Sequence, residues 1–243
     1  MNIYTVGFEG YTGIVWGDGL LIHDMLTLAL IVLLAIFAYA FHTCYPLLEK
    51  MVHGLISLKE RQSLFDSATR KSVFFNVLMS FQSIFLCTVI LFLVFGRMGE
   101  NDYQDFYQAL TLFFLFLFAL VLTYLIKRLL YFIYCNVFTS KGKYKLWNET
   151  YHTLFYFYGI LLYLPVLWLM HDREHYIGAI LLFVFLFISF KISSIYMKIR
   201  IIYDKNIGFL YLFLYLCALE IVPLLFLYES LTYLHNVIVS SIL

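Results

Sequence analysis

The sequence predicts an all-α fold: a polytopic integral membrane protein, a bundle of six transmembrane helices with both ends outside the cytoplasm. Three observations predict it. Of the 243 residues, 63% are hydrophobic and only 13% charged, too few charges to coat a water-soluble surface. Six stretches are apolar over the ~20 residues a helix needs to cross about 30 Å of hydrocarbon, where every backbone N–H and C=O must be paired within the segment. Finally, fourteen of the sixteen Lys and Arg residues fall in connections on one side, and such residues mark the cytoplasmic face.

Residues 1–22 carry Gly7, Gly10, Gly13, Gly17 and Gly19 and lack the basic n-region of a signal peptide. They are expected to stay on the protein as an outer leader, either a mobile tail or a docking segment. The first span is expected at 24–46. The connection after it carries Lys50, Lys59, Arg61, Arg70 and Lys71, and apolar positions 55, 58, 64 and 65 within 53–71 suit a short helix on the membrane surface. The second span is expected at 73–95 and the third at 106–128. Residues 129–138 are too short to cross again, so they are expected to extend the third helix and bend along the interface.

Lys127, Arg128, Lys141, Lys143 and Lys145 mark the next cytoplasmic connection. Spans at 153–170 and 177–197 follow, the fifth ending among Lys191, Lys198, Arg200 and Lys205. The sixth span is expected at 207–228, and residues 229–243 form an outer apolar tail that either prolongs it or lies flat, with Leu231, Leu234, Val237 and Ile238 at helical spacing. The opposite side holds only Arg97 and Arg173 among its cations and most of the acids. No repeat or linker divides the chain, so 1–243 reads as a single transmembrane domain. Tyr39, Tyr45, Trp147, Tyr151 and Trp168 near span ends suit an interfacial aromatic belt.

Within the spans, Glu220 is the residue hardest to explain by packing. A carboxyl near mid-bilayer costs on the order of 3 kcal/mol, so it should face the bundle interior and be protonated or paired. Pro223, three residues on, leaves the carbonyl of Leu219 without its amide donor and can kink the helix there. Two roles stay open. Glu220 is either a proton carrier or cation contact, or an interhelical anchor to Gln82, Ser83 or Tyr163. Lys191 lies roughly 10 Å nearer the cytoplasm by helical rise, too far for a direct pair. Asn76, Gln82, Ser83, Ser189 and Ser193 read as polar ties between helices. His42 invites a ligand reading, and His171 with His175 are weak metal candidates, sharing the HDREH turn with Asp172 and Glu174.

Nucleotide, zinc-protease and serine-hydrolase motifs are missing from the sequence, and no expected span carries a voltage-sensing Arg series or a GxxxG pair. A net charge of +1 offers no field for nucleic acid. The four cysteines sit in or beside apolar runs, so no disulfide is expected. No cofactor is expected, and no catalytic residues stand out.

The run FLYLFLYLCALEIVPLLFLY at 209–228 resembles the closing signature of the Bacteroidota membrane family known as domain of unknown function 4271. Tyr215, Leu216, Cys217, Leu219, Glu220, Ile221, Pro223 and Leu224 carry the likeness, with looser agreement in the second and third spans. The resemblance implies a Gram-negative inner membrane, so that both termini would be periplasmic; it implies no activity. Its partners would be the lipid bilayer and other membrane-protein subunits, with the oligomeric state open. The expected function is a non-enzymatic subunit or scaffold of a cell-envelope membrane complex. The alternative is a small proton- or ion-coupled transporter built on Glu220.

Overall fold

The computed structural model describes residues 24–42, 70–98, 106–138, 141–171, 175–202, 221–223 and 225–233. Among them all regular structure is helical: α1 (Asp24–His42), α2 (Arg70–Met98), α3 (Phe106–Phe138), α4 (Lys141–Leu161), α5 (Tyr163–His171), α6 (Tyr176–Ile202) and α7 (Ile221–Tyr233). Five stretches of these helices are long and apolar enough to cross a membrane: Asp24–His42, Phe74–Phe95, Phe106–Ile133, Trp147–His171 and Tyr176–Met197. Most of the sixth expected span, 207–220 with 224, lies outside the described residues, as do the leader 1–22, most of 53–71, and 234–243 of the tail.

Hydroxyl side chains inside these apolar helices bond to their own backbone. Thr88 donates to the carbonyl of Ile84 at 3.0 Å, and Thr111, Thr123 and Thr153 each donate to the carbonyl four residues back at 2.8 Å. Each donor is thereby satisfied where no water could serve it. At 33 residues, α3 is about 50 Å long and outreaches a ~30 Å core. It runs unbroken through residues 129–138.

The expected fourth span is interrupted at Leu162. Pro165 has no N–H to give the carbonyl of Leu161, while the bonds from Leu162 N to Tyr158 O (3.0 Å) and from Val166 N to Leu162 O (3.2 Å) persist around the break.

Burial separates the helices into two classes. Half of the span on α2 and 56% of that on α4–α5 are buried, against 22% for α1, 22% for α3 and 17% for α6. Hence α2 and α4–α5 form the centre, and the other three cover it. α3 meets α2 through edge-on rings, Phe85 and Phe92 on Phe113 at 5.5 and 5.7 Å, and Phe95 on Phe116 at 5.4 Å. α6 meets α4 where Phe190 stacks on Tyr158 at 4.8 Å. Gly178 lets α6 pass beneath the indole of Trp168, which a Cβ there would approach to 3.1 Å. Leu26 and Leu30 of α1 and Leu231 of α7 join the main apolar core, and Ala40, Phe75, Met79 and Tyr156 make a smaller one.

The aromatic belt needs one correction. Tyr39 and Trp168 are exposed, as a belt residue facing lipid headgroups would be, but Trp147 is 3% exposed. It is sandwiched between Tyr131, at 4.4 Å, and Tyr151, at 5.5 Å, because α3 runs far enough past Lys127 to cover the start of the fourth span.

Candidate intramembrane polar site

Asn76, Ser80, Ser83 and Cys87 recur on α2 at intervals of four, three and four residues, which brings them onto one face. His152, Tyr156, Gly159 and Tyr163 recur on α4–α5 at the same intervals. The two stripes meet in register and in parallel. The Tyr156 hydroxyl donates to the Asn76 carbonyl at 3.4 Å, Ser83 Oγ donates to the carbonyl of Phe155 at 3.2 Å and to that of Met79 at 2.9 Å, and Gln82 Nε2 donates to the Tyr163 hydroxyl at 3.1 Å. On the α3 side the Ser80 and Tyr124 hydroxyls lie 3.5 Å apart. Farther along, the Cys87 thiol, a free cysteine, lies 3.9 Å from the Tyr158 hydroxyl as donor.

Gly159 is the closest point of the crossing. A Cβ there would overlap Ser83 Oγ and come within 2.9 Å of Ser83 Cβ and 3.3 Å of its Cα. Only glycine lets the backbone of α4 lie this close to α2. Gln82 and Ser83 are 2% and 1% exposed, so both are enclosed by helices and screened from lipid.

The enclosure leaves some acceptors over. Gln82 Oε1, Asn76 Oδ1, His152 Nδ1 and Ser194 Oγ are buried without a hydrogen-bond partner among the described residues. A buried amide oxygen of this kind calls for a donor, and the nearest unanswered one at this depth is Gln82 Oε1.

With the architecture and this stripe in view, the sequence profile of the family described as Domain of unknown function (DUF4271) matches residues 26–231. The chain belongs to that family. The match begins in α1 and ends in α7, taking in the whole α2–α4–α5 crossing. No curated protein and no solved structure matches the chain.

Of the residues singled out in this DUF4271 chain, Gln82, Ser83 and Tyr163 are brought together, as a hydrogen-bonded pair and its neighbour. Pro223 lies in α7, half-buried, while Glu220 lies outside the described residues. His171 ends α5 and His175 precedes α6, but 172–174 between them are outside the described residues. Among the described residues no group of three or more His, Cys, Asp or Glu could hold a metal ion. Lys191 places its ammonium 5.4 Å from the Phe187 ring centroid. On α6 the exposed serine is Ser193, and the buried one is its neighbour Ser194.

Gly159, His152, Tyr156 and Tyr158 were absent from the sequence-derived candidates. The matched spacing of the two stripes, 76/80/83/87 against 152/156/159/163, was the signal that pairs them.

Proposed function

We propose that the protein is a non-enzymatic subunit or scaffold of an inner-membrane complex, six spans with both termini periplasmic and the sixth span running through 207–228. One observation carries the reading: the central crossing is closed. Ser83 is fixed between two carbonyls with Gly159 pressed on it, and Gln82 is held by Tyr163. The hollow between α3 and α4 measures about 10 Å³, room for a single water. A larger hollow of about 650 Å³ opens at the surface beside Phe37, Phe41 and His42 of α1, and Phe37 itself packs on Phe75, Met79 and Tyr156 at one end of the crossing.

What the molecule offers instead is outward-facing apolar surface. Ile177, Leu181, Phe185, Ile188, Ile192 and Tyr196 form an exposed stripe along α6, wide enough for lipid or for another transmembrane helix. A photo-crosslinking residue at Leu181 or Phe185, introduced in the native cell, tests the reading. The expected result is one discrete adduct with a membrane protein that also co-purifies stoichiometrically in mild detergent. A monomer yielding lipid adducts alone refutes it.

A second reading has one observation behind it. Gln82 Oε1 lacks a donor among the described residues, and a protonated Glu220 on the sixth span would supply one. In a proton-coupled transporter that carboxyl would release its proton, whereas as an anchor it would keep it. Glu220→Gln separates the two, since the amide still donates a hydrogen bond but carries no exchangeable charge. Full complementation supports the anchor and the scaffold; loss of function at normal protein level supports transport.

A further inference from the structure

We propose that the end of the bundle where α3 meets α4 binds the phosphate of an anionic phospholipid headgroup, held by Lys127, Arg128 and Asn148. These three side chains line the mouth of a hollow of about 10 Å³ whose inner wall includes Tyr131, Trp147 and His152. Among the described residues none of its lining side chains is acidic. Its volume admits one water, so a phosphate would seat at the mouth, its oxygens facing the guanidinium, the ammonium and the amide.

Three features make this a built site rather than scattered charge. The wall is rigid: Tyr131 and Trp147, 1% and 3% exposed, stack at 4.4 Å, and Tyr151 continues the column. Lys127 is drawn over that column, its ammonium 5.6 Å from the Tyr151 ring centroid. At the inner end, His152 is 5% exposed and its Nδ1 has no hydrogen-bond partner among the described residues. A water in the hollow could link that nitrogen to a phosphate oxygen outside.

The surroundings select a lipid over a free anion. Along α3 the two cations are bracketed by exposed apolar side chains, Leu125 and Ile126 before them and Leu129, Phe132 and Ile133 after. Acyl chains, running from the headgroup toward the bilayer centre, would cover Leu125 and Ile126, whereas a free phosphate would leave them bare. Basic pockets between transmembrane helices at headgroup level are suited to such lipids. The inference holds for either function proposed above.

The test uses the full chain reconstituted in vesicles of equal parts phosphatidylcholine and phosphatidylglycerol, extracted into mild detergent, with the retained lipids counted by mass spectrometry. Phosphatidylglycerol is expected to be enriched about fivefold for each cation engaged. The enrichment should fall to the bulk ratio in K127Q/R128Q and persist in R200Q. Arg200 is an exposed cation at the same end, since α6 runs antiparallel to α4 past the Phe190 contact. Wild-type retention at the bulk ratio overturns the proposal without recourse to any variant, so misfolding of K127Q/R128Q cannot shelter it. Equal loss in R200Q overturns it too, because the effect would be surface charge in general. If inorganic phosphate, added to the protein in phosphatidylcholine alone, raises the melting temperature as much as phosphatidylglycerol does, the occupant is the free anion and the lipid assignment fails.

Discussion

Gly159→Ala should loosen the centre of the bundle, and the cost can be worked from the crossing. The new methyl would overlap Ser83 Oγ and press to 2.9 Å on its Cβ. Ser83 cannot swing away freely, because its hydroxyl is committed to the carbonyls of Phe155 and Met79. Relief must come from moving α4 off α2, an overpacking cost of about 1–3 kcal/mol. Breaking the Ser83–Phe155 bond adds about 0.6 kcal/mol, the average for interhelical bonds in membranes. The sum, about 1.6–3.6 kcal/mol, should lower the melting temperature of the detergent-purified protein by about 3–14 °C. Ser83→Gly removes the colliding Oγ and Cβ while leaving its Cα, which a neighbour can accommodate at 3.3 Å with a small shift. The double variant should therefore recover part of the loss, with a coupling of at least about 1 kcal/mol. If the two substitutions simply add, Gly159 is not the contact that sets the α2–α4 distance.

Tyr163→Phe removes the acceptor of Gln82 Nε2 and leaves the amide buried with both ends unmet; a loss of about 1 kcal/mol is expected in thermal unfolding, with Gln82→Leu in the same background restoring it. Trp147→Ala empties the space between Tyr131 and Tyr151 and should cost about 3–5 kcal/mol, read as reduced protein level in membranes and a lowered melting temperature. Phe185→Ala, on the exposed α6 stripe, should change the melting temperature by less than about 0.5 kcal/mol equivalent while weakening the proposed partner adduct. Cysteine substitutions between Lys141 and Lys145 should be inaccessible to a membrane-impermeant thiol reagent in intact cells; labelling there would reverse the proposed orientation.

How much of this could be read in the sequence depends on the type of residue involved. Long apolar runs announce themselves, because hydrocarbon imposes a length and a composition on any helix that crosses it, and five such stretches are present among the described residues. Gln82 and Ser83 were legible as ties between helices for a related reason, since polar side chains in such runs need partners; Tyr163 stood out only as a possible partner of Glu220, and its bond to Gln82 was not foreseen. Gly159 was not. A glycine has no side chain to betray its neighbour, and only the coordinates show Ser83 resting on it. Trp147 was misread because its place near a span end suggests a headgroup anchor, whereas the overhang of α3, set by the total length of that helix, covers it. The interruption at Leu162 is traceable to Pro165, but helices often carry a proline without a break, so the residue alone did not determine it.

The two classes of helix also bear on where function can reside. α2 and α4–α5 bury their polar atoms in a close-packed crossing, and close-packed interiors change shape by switching between discrete arrangements of similar energy rather than by continuous deformation. Gln82 Oε1 is where such an arrangement could enter, since its amide is tied at one end only among the described residues. A donor that came and went there would act on Tyr163, which sits two residues before Pro165 and one after the break at Leu162. There the helix has already given up a backbone hydrogen bond, so its resistance to bending is least. Any change of state in the centre should therefore appear first as a change in the angle between α4 and α5. Spin labels placed on exposed Phe157 and Leu167 would report it, and an unchanged separation on converting Glu220 to Gln would confine that carboxyl to an anchoring role.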